Sequence, residues 1–202
     1  SIAPERAGRI VGAEALVRIR TEAGPVVEPS HFLGELHHSR FARSIDLRIF
    51  ELTLEQLAGW TDRGLVHDPF VISVNLSPAS LIHPRIAHDL CDMLRRFAVS
   101  PERILLELSR QAASTDTDAL EALRSEGFGL AVDDLGLHHS NLDRLFSSGA
   151  TVAKVDRRWS DQAGLLPGLM RTCASNGIDL IAKGVENDEQ ACRTCLQRAD
   201  DF

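Results

Sequence analysis

Short apolar runs alternate with longer amphipathic stretches along the chain. Phe70–Leu76, Ile104–Leu108, Val152–Asp156 and Ile178–Ala182 are runs of the kind that form strands buried on both faces, and Gly129–Val132 leads straight into Asp133 and Asp134. Arg9–Arg20 alternates as a further strand that places Glu14, Leu16 and Arg18 on one face. Helical spacing marks Ile45–Trp60, Pro84–Phe97, Asp118–Glu126, Leu142–Ser148, Leu166–Asn176 and Asp188–Arg198, with Gly127, Gly149 and Gly177 as stop signals. In the first of these, Ile45, Ile49, Leu52, Leu57 and Trp60 form the expected apolar face, with Leu54 between them. Another helix starts near His31-Phe32-Leu33, after Glu28-Pro29-Ser30, and Asp200-Asp201-Phe202 begins a last strand.

Strand and helix alternate with connections of a few residues, which predicts a parallel α/β fold with right-handed crossovers. About seven strand signals and no Gly-rich phosphate loop favour a barrel over an open dinucleotide-binding sheet. The polar exceptions in the strands are Glu14, Asn75, Glu107, Asp133, Asp134 and Lys154, each at or near a strand's C-terminal end. In a barrel those ends meet at one mouth, so oxygen ligands and a lysine gather there. Adjacent aspartates repel one another unless a positive group is near, and divalent metals take such oxygens. The plainer alternative is an Asp-Asp turn that caps a strand.

The 202 residues suffice for one domain with a real core or two small ones, and 44% hydrophobic with 25% charged residues is a globular composition. A net charge of -7 argues against a general nucleic-acid binder. No apolar run is long enough to span a membrane and no secretory pattern is present, so a cytoplasmic location is expected, including the cytoplasmic part of a larger or membrane-attached protein. Four cysteines do not make a disulfide scaffold; Cys192 and Cys195 have CxxC spacing but no second pair, and read as helix-face thiols. His37 and His38, being adjacent, read as surface residues.

The motifs resemble those of the EAL domain family, bacterial phosphodiesterases and receptors for cyclic di-GMP. Gly12-Ala-Glu14-Ala-Leu16-Val-Arg18 is similar to the motif that names the family, and Ser73-Val-Asn75-Leu-Ser to its Asn-Leu-Ser motif. Leu106-Glu107-Leu-Ser109, Asp133-Asp134-Leu-Gly, Lys154-Val-Asp156 and Gly184-Val-Glu186 follow in family order. The resemblance implies a modified (β/α)8 TIM-like barrel. It makes residues 1–202 a single EAL domain, truncated at both ends. It implies a Mg or Mn site built from Glu14, Asn75, Glu107, Asp133 and Asp134. Lys154 would position the attacking water or neutralise charge, and Leu16, Arg18, Phe32 and Asp156 would contact the ligand. The implied chemistry is hydrolysis of one phosphodiester to linear pGpG. The implied partners are cyclic di-GMP, a sensory or GGDEF-type domain or another protein, and a second copy in a homodimer.

Lys183 stands where the family has a metal-binding Glu, and Arg110 where it has the Glu that steadies the Asp-Asp loop. Leu135 replaces the loop's Phe, and Pro29-Ser-His-Phe32-Leu-Gly keeps half of the family's Pro-x-x-Phe-Ile-Pro. A protonated lysine replaces a metal's charge but cannot coordinate one. The expectation is therefore a degenerate EAL domain, with a single reduced Mg or Mn site or none, that acts as a cyclic di-GMP receptor or docking module. Two alternatives stay open: an active phosphodiesterase in which Glu186, Asp188 or Glu189 supplies the missing carboxylate, and a protein-interaction domain that binds no nucleotide.

Overall fold

The computed structural model describes residues 10–20, 24, 26–27, 41–108, 117–135, 145–156 and 165–185. The helix expected over Asp188–Arg198, the His37-His38 pair, both CxxC cysteines, Phe32 and Arg110 lie outside them.

Strands β1 (Gly12–Ala15), β4 (Val71–Leu76), β5 (Ile104–Leu108), β6 (Gly129–Leu135), β7 (Val152–Val155) and β8 (Asp179–Ala182) form one sheet in that order, and each neighbouring pair is parallel. Two short strands, β2 (Ile19–Arg20) and β3 (Val26–Val27), pair antiparallel apart from it. Chain order equals spatial order, as in a barrel wall, with helices in the crossovers. These are α1 (Ala42–Asp62), α2 (Pro78–Leu81), α3 (Ile86–Phe97), α4 (Thr117–Ser125) and α5 (Leu165–Ser175). Among the described residues no helix is long and apolar enough to cross a membrane.

Period-two alternation sorts the strand residues. Ile72, Val74 and Leu76 lie opposite Ile104, Leu106 and Leu108 in register, and Leu130, Val132, Ala153 and Val155 continue the layer. These side chains join Phe50, Leu54, Leu57, Leu90, Leu94, Leu123 and Cys173 from the helices in one core. Each fully buried Leu of this kind stabilises the fold by ~1.5–3 kcal/mol relative to leaving it in water.

Two elements differ from expectation. The strand through Glu14 ends at Ala15, so Leu16 and Arg18 lie beyond it, and Leu16 is 60% exposed. In α1 the buried stripe is Ala42, Asp46, Phe50, Thr53, Leu54 and Leu57. Of the expected apolar face, Leu57 is fully buried, as is Leu54, and Ile49 and Trp60 are partly buried against the core. Leu52 is 46% exposed, and Asp46 is buried instead.

Candidate functional site

The other face of the sheet carries the polar residues, and register alone brings them together. Glu14 lies opposite Ser73 across β1 and β4, and Asn75, two residues on, lies opposite Glu107. Glu107 lies opposite Ala131. Asp133 is two residues beyond Ala131, and Ala131 lies opposite Val152, two residues before Lys154. Lys154 lies opposite Ile181, two residues before Lys183. Glu14, Ser73, Asn75, Glu107, Asp133, Lys154 and Lys183 therefore share one side near the C-terminal edge of the strands, where parallel barrels place their ligands.

Lys154 is the centre of this group. Its side chain is almost fully buried, and its ammonium donates to Glu14 Oε2 at 2.9 Å, to Ser73 Oγ at 3.4 Å and to Glu107 Oε1. Glu107 is fully buried, and its Oε2 has no hydrogen-bond partner among the described residues. Burial pushes the Glu107 carboxyl above its ordinary range; hydrogen bonds from Lys154 and Ser73 work in the opposite direction. Charged side chains persist at this depth only when paired, and the Lys154 ammonium, held by two carboxylates, meets that condition.

A second pair lies beside the first. Lys183 Nζ is 2.7 Å from Asp133 Oδ1 and 2.9 Å from Oδ2. The register between β6 and β7 slips between Val132 and Leu135, a bulge that takes up Asp133 and Asp134. Leu135 then returns to the core opposite Val155. Gly184, at φ +69°, turns the chain directly after Lys183. Among the described residues no three His, Cys, Asp or Glu side chains are grouped at ion-binding spacing.

Leu16 and Arg18 border a different space. With Glu14, they line a cavity of about 400 Å³ closed on its far side by Ile49, Leu52 and Trp60 of α1. Arg18 Nη1 donates to the Val17 carbonyl at 2.8 Å. Asp156 is half-buried just past β7. Ser73, quoted above only as part of a motif, joins the site as the other polar residue of an apolar strand, in phase with Asn75. Asp46, buried in α1, carries no sequence signal that sets it apart from the other polar residues of the helix.

Residues 2–198 match the EAL domain. The chain belongs to the EAL domain family. This EAL domain is 29% identical over 200 residues to the cyclic di-GMP phosphodiesterase RocR of Pseudomonas aeruginosa, covering 92% of this chain and 50% of RocR. Its fold superposes on the PaMucR phosphodiesterase in complex with c-di-GMP with a TM-score of 0.82 at 25% identity, over 93% of this chain and 79% of that one. It also superposes on Klebsiella pneumoniae BlrP1 in a manganese and cyclic di-GMP complex, with a TM-score of 0.73 at 26% identity, over 91% of this chain and 47% of that one. The chain spans half or less of the length of curated relatives that it matches, RocR among them.

Proposed function

We propose that this EAL domain binds cyclic di-GMP but hydrolyses it slowly or not at all, and serves as a receptor or docking module in second-messenger signalling. The observation that carries this reading is the Lys183–Asp133 pair. One ammonium takes both oxygens of the carboxylate at distances typical of charge-assisted hydrogen bonds. The ammonium already neutralises this carboxylate, and a second cation beside it is repelled.

A single divalent ion fits better than two. Glu14, Asn75 and Glu107 offer two carboxylates and an amide on one face, and Glu107 Oε2 is an acceptor without a hydrogen-bond partner among the described residues. One Mg or Mn ion held there would share the carboxylates with Lys154 and could polarise a phosphate oxygen. Lys183 at this edge and Arg18 at the neighbouring cavity are cations suited to a ligand with two anionic phosphates. The relatives named for this nucleotide, and the complexes that contain it, support the ligand assignment.

Calorimetry with cyclic di-GMP, with and without Mg or Mn, followed by chromatography of the same sample, tests the reading. Saturable binding with no accumulation of pGpG is expected. Steady turnover would overturn the impairment, and no binding would leave a protein-interaction domain.

A further inference from the structure

Helix α1 carries a carboxylate where a barrel helix normally presents an apolar side chain to the sheet. Asp46 lies between Ala42 and Phe50 in the buried stripe and is 7% exposed. Its Oδ2 accepts the backbone N–H of Ser77 at 2.9 Å and the hydroxyl of Ser80 at 2.6 Å. Ser77 caps α2, with its Oγ accepting the Ser80 N–H at 3.3 Å. A buried carboxylate is costly unless its oxygens are hydrogen-bonded. Both of these bonds go to the turn that begins two residues after Asn75.

Asn75 is the last residue of β4 to face the polar side of the sheet, and it lies opposite Glu107. The conformation of Leu76 and Ser77 fixes its height and tilt. That conformation is set from outside the strand, by a helix whose other side lines the cavity beside Glu14.

We propose that Asp46 is a positioning residue for Asn75: it clamps the turn after β4 and so aims the Asn75 amide at the ligand edge. Its binding readout rests on the nucleotide reading above, whereas its structural readout does not. The experiment compares Asp46→Ala, Asp46→Asn and Ser80→Ala, each alone and combined with Asn75→Ala. It follows the Asn75 side-chain amide by ¹⁵N NMR in free protein, cyclic di-GMP affinity by calorimetry, and melting temperature.

Asp46→Ala is expected to move or split the Asn75 side-chain resonance and to weaken nucleotide binding by about tenfold, the scale of hydrogen bonds to a charged group. Asp46→Asn keeps an acceptor oxygen and recovers most of both effects. With Asn75→Ala already present, Asp46→Ala has no further effect on affinity. An unmoved Asn75 resonance, or an equal loss of affinity in both backgrounds, would show that Asp46 only stabilises α1. If Asp46→Ala does not fold, Ser80→Ala removes one of the two bonds and gives the same comparison. If the wild-type protein binds no nucleotide, the proposed function falls while the Asn75 resonance still decides the role of Asp46.

Discussion

Lys183 holds Asp133 by both carboxylate oxygens, at 2.7 and 2.9 Å, across the 50 residues that separate them in the chain. The pair sits next to the Glu14–Lys154–Glu107 group. Three carboxylates and two ammonium groups leave this edge of the sheet with a single net negative charge. A site balanced by its own lysines has little need of a second metal ion.

Replacing Lys183 tests that balance. Lys183→Glu sets a carboxylate beside Asp133, and two like charges at that spacing are relieved by a divalent cation. Loss of an outer partner alone changes metal affinity about 10–100-fold, so inverting the charge beside Asp133 should tighten Mn binding by at least that much. Pulsed EPR or calorimetry with Mn measures it, and cyclic di-GMP hydrolysis should rise in the same variant. Unchanged Mn affinity would remove Lys183 as the block.

Lys154→Met leaves Glu107 buried with no cation and Glu14 beside it. Breaking a buried ion pair from one side destabilises a protein by about 3–5 kcal/mol, so urea unfolding should show a loss of that order. Adding Glu107→Gln should restore much of it, because the orphaned charge is then gone. Additive losses would mean that the two side chains are not coupled.

Gly12 governs how closely β1 approaches β4. A Cβ there would lie 2.5 Å from the Val71 carbonyl oxygen, which belongs to the backbone and cannot swing aside. Gly12→Ala should cost about 1–3 kcal/mol through overpacking. It should also weaken nucleotide binding, since Glu14 is two residues further along the displaced strand. A melting temperature equal to that of the wild type would contradict the close approach.

Cys91 gives the protein a pH dependence away from the site. Its thiol is buried and donates to Glu126 Oε2 at 3.5 Å, and burial is the main cause that lifts it from 9.0 to about 11. Between those values the folded state keeps a proton that the unfolded chain has lost, so stability falls as pH rises from 9.0 to about 11. Cys91→Ala should flatten that part of a stability–pH curve measured by urea denaturation. An equally steep fall in the variant would place the cause elsewhere.

The polar residues of the strands were legible because a charged or amide side chain inside an apolar run is conspicuous, and alternation tells which of them share a face. Glu14, Asn75, Glu107, Asp133 and Lys154 could be gathered in this way. For Leu16 and Arg18 alternation is no guide, because it continues in the letters after the strand has stopped at Ala15.

The sequence alone determined the order of elements, the parallel α/β class, the family, and the lysine at position 183. Only the tertiary structure decided which charges meet. Lys154 reaches Glu14 across 140 residues, and nothing local encodes that distance or the choice between a water, a metal and a carboxylate as its partner. The same holds for α1. Periodicity defines the stripes of a helix, but the stripe that faces inward also depends on what the opposing layer offers. Here the Ser77 and Ser80 donors make Asp46 an inward residue. Hydrophobic pattern is a property of one segment, whereas hydrogen-bond and charge satisfaction belongs to pairs of segments brought together by the fold.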